Sequence, residues 1–368
     1  VREWAADLSQ ISCSNERLDA LLIAAEEPQD IAGLVLVSLR LNVPAVFAPP
    51  RDARLFATLA ALGLSPLAAH PAEVVVEVAR ADGPRPCDLI EDFSLANALR
   101  AACSLGEGPE TIVHLSAIAR EAGVLGFSQM FRVLVPETPL LVEPGSEWFE
   151  VHGMAGLFAH LGETLNDTPT VEGKLREILP AAPPAPSPLA YSRLVFVEGR
   201  ASGTEALCRA TESQKEVAGA CRVLNTEEFA VRVAEEGSFE PDTLLVVVGC
   251  GPRGGPGLLR LDLLAQALRE SGLEEMVPVI TDGLPPRDTK GTWISLFSPE
   301  AATGGVIGQL RDGDALRIDL AGGRIRTGVQ ADEMECREPY KIPDPDGAGY
   351  AARYARSALP SLEGAGFG

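Results

Sequence analysis

The sequence predicts a two-domain α/β protein. An N-terminal parallel α/β/α domain covers residues 1–178, a proline-rich linker 179–190, and a β-barrel-like α/β domain 191–368. Three observations predict it. Strand, loop, helix and strand follow one another over 21–23, 34–41 and 45–47, the order of a parallel sheet with ligands at its strand C-termini. Five prolines between Leu179 and Pro188 bar helix and sheet and favour an extended crossing. Finally, an apolar run at 244–248, a glycine-rich loop, a helix at 258–271 and a second strand at 277–280 form an α/β unit among short strands and turns.

Taken in order, residues 1–22 read as an amphipathic helix leading into the first strand. A loop at 24–33 opens the helix at 34–41, and Asn42-Val43-Pro44 closes it. Helices are predicted at 54–64, 71–80, 96–103, 112–122 and 151–165. After the linker come strands at 194–197 and 221–224, a helix at 227–235, and strands at 244–248, 277–280, 306–307 and 315–320. Turns at Asp312-Gly313-Asp314 and Gly322-Gly323 give this half its strand-rich, barrel-like character. A turn-rich loop at 339–349 precedes a C-terminal helix.

With 368 residues, 46% of them hydrophobic, the chain can build a large core in more than one domain. A net charge of −21 argues against a nucleic-acid partner, which needs clustered Lys and Arg. No apolar run reaches the length of a membrane span, and no secretory pattern opens the chain. Seven cysteines without CxxC spacing suggest no disulfide framework and fit a reducing cytoplasm. Four histidines show no metal-binding spacing; His152 and His160 read as helix-surface residues.

The chemistry centres on the loop with Gly249, Gly251, Gly254, Gly255 and Gly257. At a strand end such a loop exposes backbone N–H groups and, with Arg253, can hold an anion. A tight turn that needs positive φ explains the glycines equally well.

The loop Cys250-Gly251-Pro252-Arg253-Gly254-Gly255-Pro256-Gly257-Leu258 and the turn Thr281-Asp282-Gly283-Leu284-Pro285-Pro286-Arg287 resemble two motifs of the dihydroxy-acid and sugar-acid dehydratases. Their versions read Glu-Gly-Pro-Lys-Gly-Gly-Pro-Gly-Met and Thr-Asp-Gly-Arg-Phe-Ser-Gly. Further collinear pieces are Arg40 to Phe47, Gly106 to Leu115, Thr170 to Leu175, Ser298 to Gly305 and Asp312 to Asp314. The resemblance implies an α/β domain on a swivelling β-barrel domain, a homodimer, and an active site between the domains. The implied reaction removes water from a 2,3-dihydroxy acid with an iron–sulfur cluster, Mg²⁺ and a serine base.

At the chemical positions the residues differ. The Mg²⁺ glutamate falls on Cys250, the cluster cysteine on Glu27, and the metal-binding Asp and carboxylated Lys on Pro28 and Gln29. The base serine falls on Pro286, and Glu107, Gly108, Pro109 and Glu110 replace a Gly-Ser-Thr-Asn run. The family's first cluster cysteine would lie ahead of Val1. Neither cluster nor Mg²⁺ is therefore expected.

Two functional readings follow. In one, the cleft performs cofactor-independent lyase, isomerase or cyclase chemistry on a small substrate. Cys250, its pKa lowered by loop N–H groups, serves as nucleophile. Asp282, Glu27, Glu110 and His114 serve as acids and bases, and Arg253, Gly254, Gly255, Glu107, Thr281 and Arg287 bind substrate. Against this, His114 also reads as a satisfied core residue and Cys250 as a small buried one. In the other, the chain is a non-catalytic relative that binds a metabolite or a partner, including an active paralogue in a heteromer. Charged and thiol replacements favour the first; proline at 28, 109 and 286 favours the second.

Overall fold

The computed structural model of the chain describes every residue except 107, 188–191, 201–202, 212–213, 238, 241, 254–256, 288, 339 and 342–348. The fold is mixed α/β, and the chain divides into two compact units. One is Val1–Glu107 with His114–Tyr191; the other is Gly108–Val113 with Ser192–Gly368.

The first unit is largely helical: α1 Arg2–Cys13, α2 Pro28–Leu41, α3 Ala53–Ala61, α4 Pro71–Ala81, α5 Pro86–Leu89, α6 Asp92–Ser104, most of α7 Pro109–Glu121, α8 Phe127–Glu137, α9 Glu147–Leu161 and α10 Leu175–Ile178. Pro28 starts α2, where its missing N–H costs nothing, and left-handed Asn42 ends it. The expected parallel sheet is reduced to a pair, β1 Leu21–Ile23 and β2 Ala45–Phe47, in register Leu21↔Ala45. The reason lies after Phe47. There Ala57, Leu59, Leu95, Ala98 and Leu99 recur at helical spacing, and their burial goes into helix contacts instead of further strands.

A short hairpin, β3 Pro169–Thr170 and β4 Gly173–Lys174, completes this unit. In α9 the helix kinks at Gly153 (φ 61°), and Trp148 packs on both His152 and His160, with ring centroids 4.9 and 6.0 Å away. The Trp148 indole N–H donates to the Pro184 carbonyl of the proline-rich stretch at 2.8 Å.

In the second unit eight strands close a mixed barrel: β5 Ser192–Glu198, β6 Glu205–Thr211, β7 Glu216–Leu224, β8 Thr243–Val247, β9 Val279–Thr281, β10 Trp293–Ser298, β11 Ala315–Asp319 and β12 Arg324–Thr327. They lie in the order β10-β6-β5-β12-β11-β7-β8-β9. Helices α11 Glu227–Glu236 and α12 Asp262–Glu270 connect the parallel run β7-β8-β9, and α13 Ala331–Cys336 and α14 Tyr350–Ser357 follow the barrel. Strand β8 and the residue after it show why 244–248 is continuously apolar. Leu244, Val246 and Val248 fill the barrel interior, while Leu245 and Val247 pack with Leu264 and Leu268 of α12. Both faces are buried, so the usual alternation disappears.

Two expectations are corrected here. Residues 306–307, read as a strand, form a 3₁₀ turn, Val306–Gln309, following left-handed Gly304. The helix read at 258–271 starts later, at Asp262, because residues 258–261 continue the loop. The loop expected at 339–349 lies largely outside the described residues. Among those described, no helix is long and apolar enough to cross a membrane.

Candidate functional site

The site is built at the end of β8, where the chain enters the glycine-rich loop. Gly249 turns with φ 78°, and a Cβ there would overlap the Tyr340 hydroxyl. The next N–H groups meet a carboxylate from the end of β9. Asp282 accepts hydrogen bonds from the Cys250 N–H (2.9 Å), the Gly249 N–H (3.2 Å) and the Ala301 N–H (3.1 Å). Its side chain is fully buried. Burial pushes its carboxyl above the usual range, and the backbone N–H groups pull the other way. Thr281, also buried, accepts the Gly283 N–H at 3.0 Å.

A second acid lies beneath the loop. β10 breaks its register between Ser295 and Ser298, with Leu296 at φ 51°, and the chain turns through Glu300. Glu300 is 1% exposed. Its Oε2 accepts the Arg253 N–H at 3.1 Å, whereas its buried Oε1 has no hydrogen-bond partner among the described residues. Burial first, and then the nearby Asp282 charge, push its carboxyl up to about 8, so it is mostly protonated at neutral pH. Gly251 is required here because a Cβ would overlap Glu300 Oε2. The Arg253 side chain turns to the C-terminal segment, where its Nε–H donates to the Ala358 carbonyl at 2.6 Å. Burial, aided by the Asp282 charge, also raises the Tyr340 hydroxyl.

Cys250 requires a correction. The loop N–H groups were expected to lower its pKa; instead burial pushes the thiol up, with Asp282 adding to the shift and Thr281 partly opposing it. Two of these N–H groups, those of Gly249 and Cys250, are bound to Asp282, and that of Arg253 to Glu300. The side chain is 1% exposed among Leu245, Val247, Leu261 and Leu264. Iodoacetamide at pH 8 should therefore modify the exposed Cys336 at least about tenfold faster than Cys250 in the native protein. Peptide mass analysis before and after denaturation checks this, and fast native labelling of Cys250 would restore the nucleophile.

The remaining candidates separate. Glu110, at the start of α7, is grouped with the barrel unit. Its Oε2 accepts from Arg260 Nη1 at 3.3 Å, Arg287 Nε at 3.3 Å and Arg287 Nη2 at 3.2 Å. Glu27 and His114 belong to the other unit. Glu27 is exposed in extended backbone just ahead of α2, and His114 Nδ1 lies 3.3 Å from Arg2 Nη1. Glu107, Gly254 and Gly255 lie outside the described residues.

Sequence reasoning passed over Glu300, Tyr340 and Arg260. Glu300 sits in the quoted Ser298 to Gly305 piece and Arg260 follows the glycine loop, so position alone could have flagged both. Tyr340 carries no such signal.

The donor atoms at the positions of the cluster and Mg²⁺ ligands do not suit either group. Pro28 offers none, Gln29 offers an amide, and the Cys250 thiol lies in an apolar cluster. Among the described residues no three His, Cys, Asp or Glu side chains converge to hold a metal ion.

Residues 192–365 match the family described as dihydroxy-acid/6-phosphogluconate dehydratase C-terminal. The chain is a distant homologue of the dihydroxy-acid dehydratase family. It is 31% identical to dihydroxy-acid dehydratase of Trichlorobacter lovleyi over 318 residues, covering 80% of this chain and 57% of that one. It is 30% identical to dihydroxy-acid dehydratase 2 of Bordetella bronchiseptica over 348 residues, covering 83% and 60%. With the dihydroxy-acid dehydratase of Geotalea daltonii it shares 30% over 320 residues, covering 78% and 58%. The chain thus spans less than two thirds of the length of these curated relatives.

Proposed function

We propose that this chain binds a small anionic molecule and no longer performs the dehydration for which its relatives are named. The observation that carries this reading is how the reactive groups near the loop are used. Asp282 clamps three N–H groups, Glu300 supports the loop from beneath, Cys250 packs in the core, and Glu110 faces two arginines. An acid or base must reach the proton that it moves, and buried clamps do not. Cofactor-independent lyase, isomerase or cyclase chemistry finds its best support in Glu300, a protonated acid near neutral pH. At 1% exposure, that acid has no reach to a substrate. Assembly as a homodimer, or with an active paralogue, is compatible with a binding role.

The test is iron and acid-labile sulfide analysis of protein purified without oxygen, beside an assay with a 2,3-dihydroxy acid. Iron far below stoichiometric and no turnover are expected. Stoichiometric iron and sulfide with turnover would overturn the reading.

A further inference from the structure

We infer that the kinked helix α9 carries a polyproline-recognition groove, and that its ligand is the chain's own proline-rich stretch, held in cis as a detachable strap. The stretch reads Leu179-Pro180-Ala181-Ala182-Pro183-Pro184-Ala185-Pro186-Ser187. Prolines recur every third residue at 180, 183 and 186, which is the period of a polyproline II helix. Leu179 enters the stretch with φ −76° and ψ 138°, close to the values of that helix. Burial follows the same period. Pro183 and Pro186 are half-buried, whereas Ala181, Ala182, Pro184, Ala185 and Ser187 are exposed. One face of a helix with three residues per turn is therefore seated, and the rest is turned to water.

The kink in α9 shapes the seat. Gly153, at φ 61°, divides the helix, and Trp148 ahead of it packs on both His152 and His160. These contacts hold the indole ring at the edge of a cavity of about 410 Å³, lined by Val142, Trp148, Val151, His152, Ala185 and Pro186 among others. Beyond the kink, Gly156 presents no side chain. A Cβ there would stand 3.7 Å from Pro183 Cγ, so the proline ring lies against the helix itself.

The polar contact fits the same ligand. A polyproline II helix makes no internal hydrogen bonds, so its carbonyls stay open to an outside donor. The Trp148 indole, which can only donate, gives its N–H to the Pro184 carbonyl at 2.8 Å. An aromatic wall with a ring N–H aimed at a backbone carbonyl suits a proline-rich segment, whose shape is already fixed before it docks. The stretch follows directly on α10 and belongs to the same compact unit, so its tether keeps the local concentration of this ligand high. The inference is independent of the anion-binding reading.

Two experiments on the full chain test it. Elastase cuts after alanine and must take up the residues around the bond, so seating of the strap protects Ala181–Ala182. Trp148→Ala should speed that cut at least about tenfold, and Trp148→Phe, which keeps a ring but loses the N–H, about threefold. Unchanged rates in both variants would overturn the inference. Protection in the unmodified chain that fades on dilution would assign the strap to a second copy and overturn its placement in cis. The second experiment supplies the ligand in trans, as a fluorescent peptide with the sequence of residues 179–187, read by anisotropy. Pro183→Ala with Pro186→Ala in the chain vacates the groove and should bind the peptide at least about tenfold more tightly than the unmodified chain. Adding Trp148→Ala, or making the same two proline changes in the peptide, should abolish the gain. Affinities within about twofold of each other, or a gain that survives loss of Trp148, would overturn the groove as a polyproline site.

Discussion

Asp282→Ala is expected to lower the stability of the barrel unit by about 2–4 kcal/mol, a large share of what a domain has in reserve. The substitution strips the acceptor from three N–H groups, those of Gly249, Cys250 and Ala301, around a fully buried side chain. Each buried donor left without a partner costs about 1–3 kcal/mol. One effect opposes this: burial of the carboxylate is itself unfavourable, as its raised pKa shows, and alanine removes that cost. The three donors outweigh it because they come from two segments, and losing the acceptor releases both. Asp282→Asn, which keeps one acceptor oxygen, should fall between. Urea unfolding gives the free energy, and amide exchange at Cys250 and Ala301 locates the damage. A loss below about 0.5 kcal/mol with unchanged exchange would mean that the carboxylate is not the clamp.

What was legible in the sequence, and what was not, divides along physical lines. Strands β8 and β9 and helices α11 and α12 could be read because burial on both sheet faces leaves continuous apolar runs between amphipathic helices. Strands β6, β10 and β12 were passed over. β6, Glu205–Thr211, places Ala206, Cys208 and Ala210 inward, small residues that carry little hydrophobic signal. β12 has four residues, two of them arginine. At the site, the motifs located the loop, but the partners of its N–H groups could not be deduced. Asp282 lies 32 residues beyond Cys250 and captures the very donors that would have stabilised a thiolate. The role of Glu300 comes from packing beneath Gly251, a contact between positions 49 residues apart that no local pattern encodes.

Glu300 also makes the stability of the chain depend on pH in a direction opposite to that of an ion-paired acid. Its carboxyl rises from an ordinary value of 4.5 to about 8 on folding. A carboxyl with a raised folded pKa favours folding fully below its unfolded value, where both states are protonated. That contribution declines as pH rises through the interval and is gone above the folded value. The window is therefore pH 4.5 to 8, and at about 1.4 kcal/mol per unit the interval sets an upper bound of about 5 kcal/mol. Glu300→Gln keeps an oxygen for the Arg253 N–H and cannot ionise. Its stability should be close to that of the unmodified chain at pH 4.5 and exceed it by about 2–4 kcal/mol at pH 8.5. Comparing the two proteins at each pH cancels the titrating groups that lie apart from Glu300, while the coupled Asp282 carboxyl contributes to the difference. Parallel pH curves from urea unfolding would show that Glu300 titrates normally. A widening gap would establish a buried, protonated acid beneath the glycine-rich loop, where Gly251 leaves room for it.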